Sequence, residues 1–131
     1  MIYMFDTNVI GYLVRGTSTK LKNKVYMEDP DNLMINSIVY AEIEYGLRKK
    51  NAHGIAKKVH AFIDNLHMID FDRNAANIYA QIRITLEKSG TPLDNMDLLI
   101  AACAMSSGAT LVSHNKKHFS KIKGLKVEDW C

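Results

Sequence analysis

Three acidic residues, Asp6, Glu42 and Asp97, stand at places in the chain where carboxylates can act together. Asp6 ends an apolar run, Ile2-Tyr3-Met4-Phe5, that reads as a strand buried on both faces of a parallel sheet. Its carboxylate therefore falls at a strand's C-terminal end, the edge where open α/β sheets bind ligands. Glu42 lies just over one turn into a helix that follows a second short strand, Leu33 to Asn36, which brings it near the same edge. Asp97 is in the first turn of a helix whose later residues, Leu98 to Met105, are apolar all round. Carboxylates converging on one crevice repel each other unless they are protonated or neutralised by a cation, so cation binding is the chemistry on offer.

Each acid also has a plainer role open to it. Asp6, Thr7 and Asn8 are all good N-caps for the short helix marked by Val9, Ile10 and Leu13. Asp94 and Asp97 imitate a capping box, and acids in a first turn suit the helix dipole; Asp94 is read as the cap first and a metal ligand second. Capping accounts for the acids one at a time but not for three of them meeting at one edge. Glu44 points to roughly the opposite side of its helix from Glu42 and cannot share its site. His114 and His118 have a spacing that suits a metal on a helix; here they follow a strand and read as a turn, so no zinc site is assigned to the pair.

The elements that must position these residues alternate. After the first strand and helix, Thr17 to Tyr26 is a polar, lysine-rich peripheral helix or loop, and Glu28 to Asn32 is turn chemistry. Leu33 to Asn36 leads into a helix over Ile38 to Arg48 with Ser37 as its expected cap, and Gly46 inside that helix suggests close approach of another backbone. A helix on Ile55, Val59, Phe62, Ile63 and Leu66 follows, with His53, Lys57, Lys58 and His60 on a solvated face. Then come a strand from His67 to Phe71, an Asp72-capped helix closed by Gly90 and Pro92, the apolar helix, a strand Thr110 to Ser113, and a short edge strand at Leu125 to Val127. Strands alternating with helices too long to be hairpin loops imply an α/β fold, a parallel sheet with helices on both faces.

Composition bounds the rest. A chain of 131 residues, 47% of them hydrophobic, suits one domain with a proper core, and no repeat or linker divides it. The net charge of +3 permits a nucleic-acid partner without demanding one. Two cysteines form no disulfide framework, and neither a leader nor a membrane-length apolar run is present, so the expectation is a cytoplasmic protein.

Five stretches in order carry a resemblance: the strand into Asp6-Thr7-Asn8; Ala41-Glu42-Ile43-Glu44-Tyr45-Gly46; Gly90 through Ala102; Leu111 through Phe119; and Gly124 through Trp130. Together they resemble the PIN-domain toxins of the VapC type over nearly the whole chain. The resemblance implies a single PIN domain over residues 1–131, a three-layer sandwich around a mostly parallel sheet of four to five strands. It places the family's acidic constellation on Asp6, Glu42 and Asp97, and its fourth position, often Asp, on Asn115. Having Asn there lowers the charge of the site, which should weaken or remove a second metal position and leave the first intact.

What the resemblance further implies is a toxin that cuts structured RNA, transfer RNA or ribosomal RNA, with Mg²⁺ or Mn²⁺, ions that suit oxygen ligands and accept phosphate oxygens. In that scheme Asp6 and Asp97 hold the metal, Glu42 positions the ion or its water, and Asn115 tunes the site. Tyr12, Tyr40 and Tyr45 are candidates to stack on unpaired bases, and lysine-rich segments to hold phosphates. The implied partners are a VapB-like antitoxin covering the acids and a second copy of the chain. A haloacid-dehalogenase-type phosphohydrolase needs a second acid where this chain has Asn8. The remaining alternative is a catalytically idle RNA-binding module, in which the acids are only caps.

Overall fold

A computed structural model describes residues 1–131. Its centre is β1 (Tyr3–Phe5), where Tyr3 and Met4 pair with strands on both sides and Phe5 with one. Met4 and Phe5 are wholly buried. Closing such side chains off from water stabilises the fold by about 1.5–3 kcal/mol each. Asp6, the first polar residue, ends the strand and caps α1 (Thr7–Arg15), which stops at Gly16 in the left-handed conformation that glycine adopts without strain.

Ser18 caps α2 (Thr19–Met27), so the lysine-rich stretch is a helix. A 3-10 turn, Pro30–Asn32, delivers β2 (Leu33–Asn36), followed directly by α3 (Ser37–Lys49) and then α4 (His53–Ile63). The cap of α3 is Asn36, whose side chain accepts from Val39 N at 2.8 Å, and not Ser37. Ser37 instead accepts a hydrogen bond from Phe71 N at 3.0 Å, tying α3 to the segment beyond the next strand. Nothing lies within 4 Å of a Cβ built on Gly46, so the close backbone approach expected there does not occur.

β3 (His67–Ile69) ends two residues earlier than expected, and Asp72 caps the long α5 (Arg73–Lys88) as expected. α6 (Asn95–Ser106) packs along α5 and buries Leu98 and the run Ile100 to Ala104. Its small side chains, Ala101, Ala102, Cys103 and Ala104, let it sit deep in the core. β4 (Thr110–Val112), the one-turn helix α7 (Lys116–Phe119) and β5 (Val127–Glu128) complete the chain. β5 starts two residues later than the tail strand anticipated, because Leu125 packs on the core instead of pairing.

All five strands are parallel, in the order β3-β2-β1-β4-β5. The chain moves from β1 outward through β2 to β3, then returns past β1 to β4 and β5. Right-handed crossovers therefore set α1 to α4 against one face and α5 and α6 against the other. The reversal creates a switch point between β1 and β4, outside whose C-terminal ends a crevice must open. Phe5 pairs with Val112 there, so Asp6 and Ser113 leave the sheet side by side. No helix is long and apolar enough to cross a membrane.

Candidate active site

Asp6 lies at the bottom of this crevice, 7% exposed. Thr7 N donates to its Oδ1 at 2.8 Å and Ser113 Oγ donates to its Oδ2 at 2.9 Å. Ser113 is itself fixed by accepting from Asn115 N at 3.0 Å. Glu42 reaches the same place from α3: Thr7 Oγ1 donates to its Oε1 at 2.7 Å. Thr7 thus binds both acids at once, its backbone to Asp6 and its hydroxyl to Glu42. On the far side Asp97 projects from the first turn of α6 and its Oδ2 accepts from His118 Nε2 at 2.9 Å.

Charge links the three acids. Burial pushes the Asp6 carboxyl above its ordinary value, the nearby Asp97 adds to the rise, and the Ser113 and Thr7 bonds oppose it. Burial likewise raises Asp97; His118 opposes this, while Asp94 and Glu42 reinforce it. Ionising the group is therefore costly without a cation. Glu42 Oε2 and Asp97 Oδ1 take no protein hydrogen bond, because Thr7 and His118 engage only the other oxygen of each. Oxygen-only donors, mutual repulsion and free carboxylate oxygens fit a hard divalent ion.

The remaining expected residues separate. Asn115 stands at the rim, exposed, ahead of α7, and its side chain makes no capping bond. Asp94 occupies the N-cap position of α6, yet its carboxylate accepts no capping bond either; the capping role expected for it is not filled, and its charge faces Asp97 instead. Glu44, on the other side of α3 as expected, meets His60 and Arg48. His114 and His118 go to different partners, Asp129 and Asp97. Tyr45 is 65% exposed with Lys49 against its ring, Tyr40 is less so, and Tyr12 packs on the core.

Reading the sequence missed Thr7, Ser113 and His118 as partners of the acids. Ser113 ends β4 as Asp6 ends β1, and pairing the two strands end to end would have found it. His118 gave no comparable signal, since its bond to Asp97 spans 21 residues.

A switch-point crevice lined by carboxylates on a five-stranded parallel sheet is the arrangement of PIN-domain proteins, and the PIN domain family matches residues 3–125: this chain belongs to that family. Within it, the relatives are VapC ribonucleases. Ribonuclease VapC2 of Rickettsia felis is 37% identical over 99% of this chain and 98% of its own length. The tRNA(fMet)-specific endonuclease VapC of Salmonella typhimurium is 33% identical, over 98% of each chain. Among solved structures, VapBC2 from Rickettsia felis bound to a DNA fragment from their promoter superposes with a TM-score of 0.92 at 36% identity, covering all of both chains. PIN nucleases as a class work with divalent metals.

Proposed function

We propose that this chain is the toxin of a type II toxin–antitoxin pair, a single PIN domain over residues 1–131 that hydrolyses phosphodiester bonds at one place in structured RNA, transfer RNA first and ribosomal RNA second. The observation that carries the reading is the joint hold of Thr7 on Asp6 and Glu42, two acids kept together close enough to Asp97 for the charges to act on one another. Asp6 and Asp97 would hold a Mg²⁺ or Mn²⁺ ion, with Glu42 beside them, and the ion would supply Lewis-acid charge and make water more acidic.

The protein's own part is placement. Thr7 and Ser113 each bond one oxygen of Asp6 and hold its carboxylate still, and Glu42, braced by Thr7, orients the attacking water and takes its proton. His118 holds Asp97 from the other side. Asn115, exposed at the rim, tunes the site. Attack by water leaves a 5′-phosphate and a 3′-hydroxyl. Tyr40 and Tyr45 are the exposed rings for unpaired bases, and a VapB-like antitoxin in the cytoplasm silences the site in a complex built on a toxin homodimer.

The test is cleavage by antitoxin-free protein of total transfer RNA and ribosomal RNA, with Mg²⁺, Mn²⁺ or chelator. One discrete cut with 5′-phosphate ends is expected, absent in chelator and in Asp6→Ala and Asp97→Ala. RNA that is bound but left intact under every metal would make the idle binding module the better account.

A further inference from the structure

At the same end of the sheet, one strand beyond Asp6, the C-terminal ends of β4 and β5 carry another group of donors. Val112 of β4 pairs with Glu128 of β5, so the residues just beyond each strand leave side by side. His114 Nδ1 consequently lies 3.2 Å from Asp129 Oδ2. The chain then turns back: Cys131 N donates to Asp129 Oδ1 at 2.8 Å, and one donor atom from each of His114, Asp129 and Cys131 falls within 4.8 Å of the other two.

The framework around this group is fixed. Trp130, between Asp129 and Cys131, is 1% exposed and packs edge-on against Tyr3 at 4.8 Å and Phe5 at 5.8 Å, so the tail cannot swing away without opening the core. The Tyr12 ring meets the His114 imidazole edge-on at 5.8 Å and limits its rotation. On the open side, Thr17, Ser18, His114 and Cys131 face a depression of about 370 Å³.

We propose that His114, Asp129 and Cys131 form a zinc(II) site with a fourth position open to solvent. A nitrogen, an oxygen and a sulfur donor are the set that zinc accepts and magnesium refuses. Zinc bonds of about 2.0–2.3 Å space tetrahedral donors by roughly 3.3–3.8 Å; the His114–Asp129 pair already stands at 3.2 Å, and only the Cys131 sulfur, within 4.8 Å, must close in by side-chain rotation on the fixed framework. The charges also balance: a neutral imidazole, a carboxylate and a thiolate offset the ion, and Cys131 gives up one proton. Burial and Asp129 keep that thiol protonated until the ion arrives. Lys20 opposes binding, since its charge acts on both Asp129 and Cys131. The proposal is independent of the nuclease reading. Its consequence for the fold is a clamp between the tail and the loop that carries Ser113 to Asp6.

Cobalt(II) is the optical probe. Reduced, metal-stripped protein titrated with Co²⁺ should develop the near-ultraviolet thiolate-to-cobalt band and the visible bands of a tetrahedral ion, saturating at one ion per chain. Equimolar Zn²⁺ should abolish them with release of one proton per ion, while a large excess of Mg²⁺ should not. The band should vanish in Cys131→Ser, weaken about tenfold or more in apparent affinity in His114→Ala, and survive in Cys103→Ser and Asp97→Asn, all checked for native circular dichroism. A band that persists in Cys131→Ser, one that needs two chains per ion, or binding that Mg²⁺ displaces as well as Zn²⁺ would overturn the site.

Discussion

On the side of the crevice built by β1, α1 and α3, Asp6 is 7% exposed with each oxygen bonded, and Glu42 is braced by the same threonine. On the side built by α6 and α7, the Asp97 side chain is 28% exposed and hydrogen-bonds His118 alone, and Asn115 at the start of α7 is exposed. The difference follows from what precedes each acid. Asp6 stands directly after a strand, and Glu42 lies in a helix that starts where a strand ends, so sheet register fixes both. Asp97 enters from the loop between α5 and α6, with no strand behind it. A functional site needs its side chains locked by packing and supporting hydrogen bonds, and the Asp6 wall has more of both than the Asp97 wall. The immobile wall here is also the costly one, because holding Asp6 still has meant burying its charge.

Removing a brace from each wall in turn should give the largest contrast. Ser113→Ala frees one oxygen of Asp6 and the backbone of Asn115 together, and cleavage should fall about 10–100-fold. Thr7→Val, which keeps the backbone bond to Asp6 and loses only the hydroxyl to Glu42, should lie in the lower part of that range. His118→Ala should cost less than about tenfold, with partial recovery in His118→Gln, since the partly exposed Asp97 can be held by water. The measurement is single-turnover cleavage of the mapped RNA at saturating metal. If the histidine variant proves worse than the serine one, the assignment of rigid and soft walls is reversed.

The same contrast explains what could be seen in the sequence. Asp6 and Glu42 were legible because a short apolar run that stops at a polar residue marks a strand end, and a strand end marks the ligand edge. Asp97 was legible through its contrast with the all-apolar remainder of α6. Their supports were not, because Ser113 and Asp6 are 107 residues apart and meet only through the pairing of β1 with β4. Asn36 and Ser37 are both good capping types, and nothing local says that the serine hydroxyl will be drawn off by Phe71. Asp94 is the converse case: it has the right type and place for a cap, and its carboxylate is left unbonded.

The burial of Asp6 has a signature in stability, smaller than the catalytic effects. Its folded-state pKa lies above the ordinary 3.8, so the folded protein holds that proton more tightly than the unfolded chain does. The stability this gives is fully present below 3.8 and is lost as pH rises through the folded value. Asp6→Asn cannot ionise and should escape the loss. In metal-free protein its melting temperature should match wild type in acid and exceed it at neutral pH. Added Mg²⁺ should narrow the gap by stabilising wild type alone. The analogous Asp97→Asn should show the same sign with a smaller gap. A variant less stable than wild type at neutral pH would mean that the two hydrogen bonds to Asp6 outweigh its burial.

The smallest effect should come from restoring an acid at the rim. Asn115→Asp adds a carboxylate beside the crevice, but the position is exposed and its side chain is unbonded, so solvent screens the new charge. An acid ahead of the one-turn α7 also suits the unpaired N–H groups there, which gives it a place to rest other than the site. Cleavage at saturating Mg²⁺ should change about twofold or less, the usual range for a surface substitution. The sharper readout is the dependence on metal concentration. Were the aspartate to complete a second ion position, the curve would steepen and its midpoint fall; an unchanged curve is expected. A steepened curve would put Asn115 inside the soft wall, close enough to Asp97 for the two to share an ion, and the distinction between rim and wall would fail at that residue.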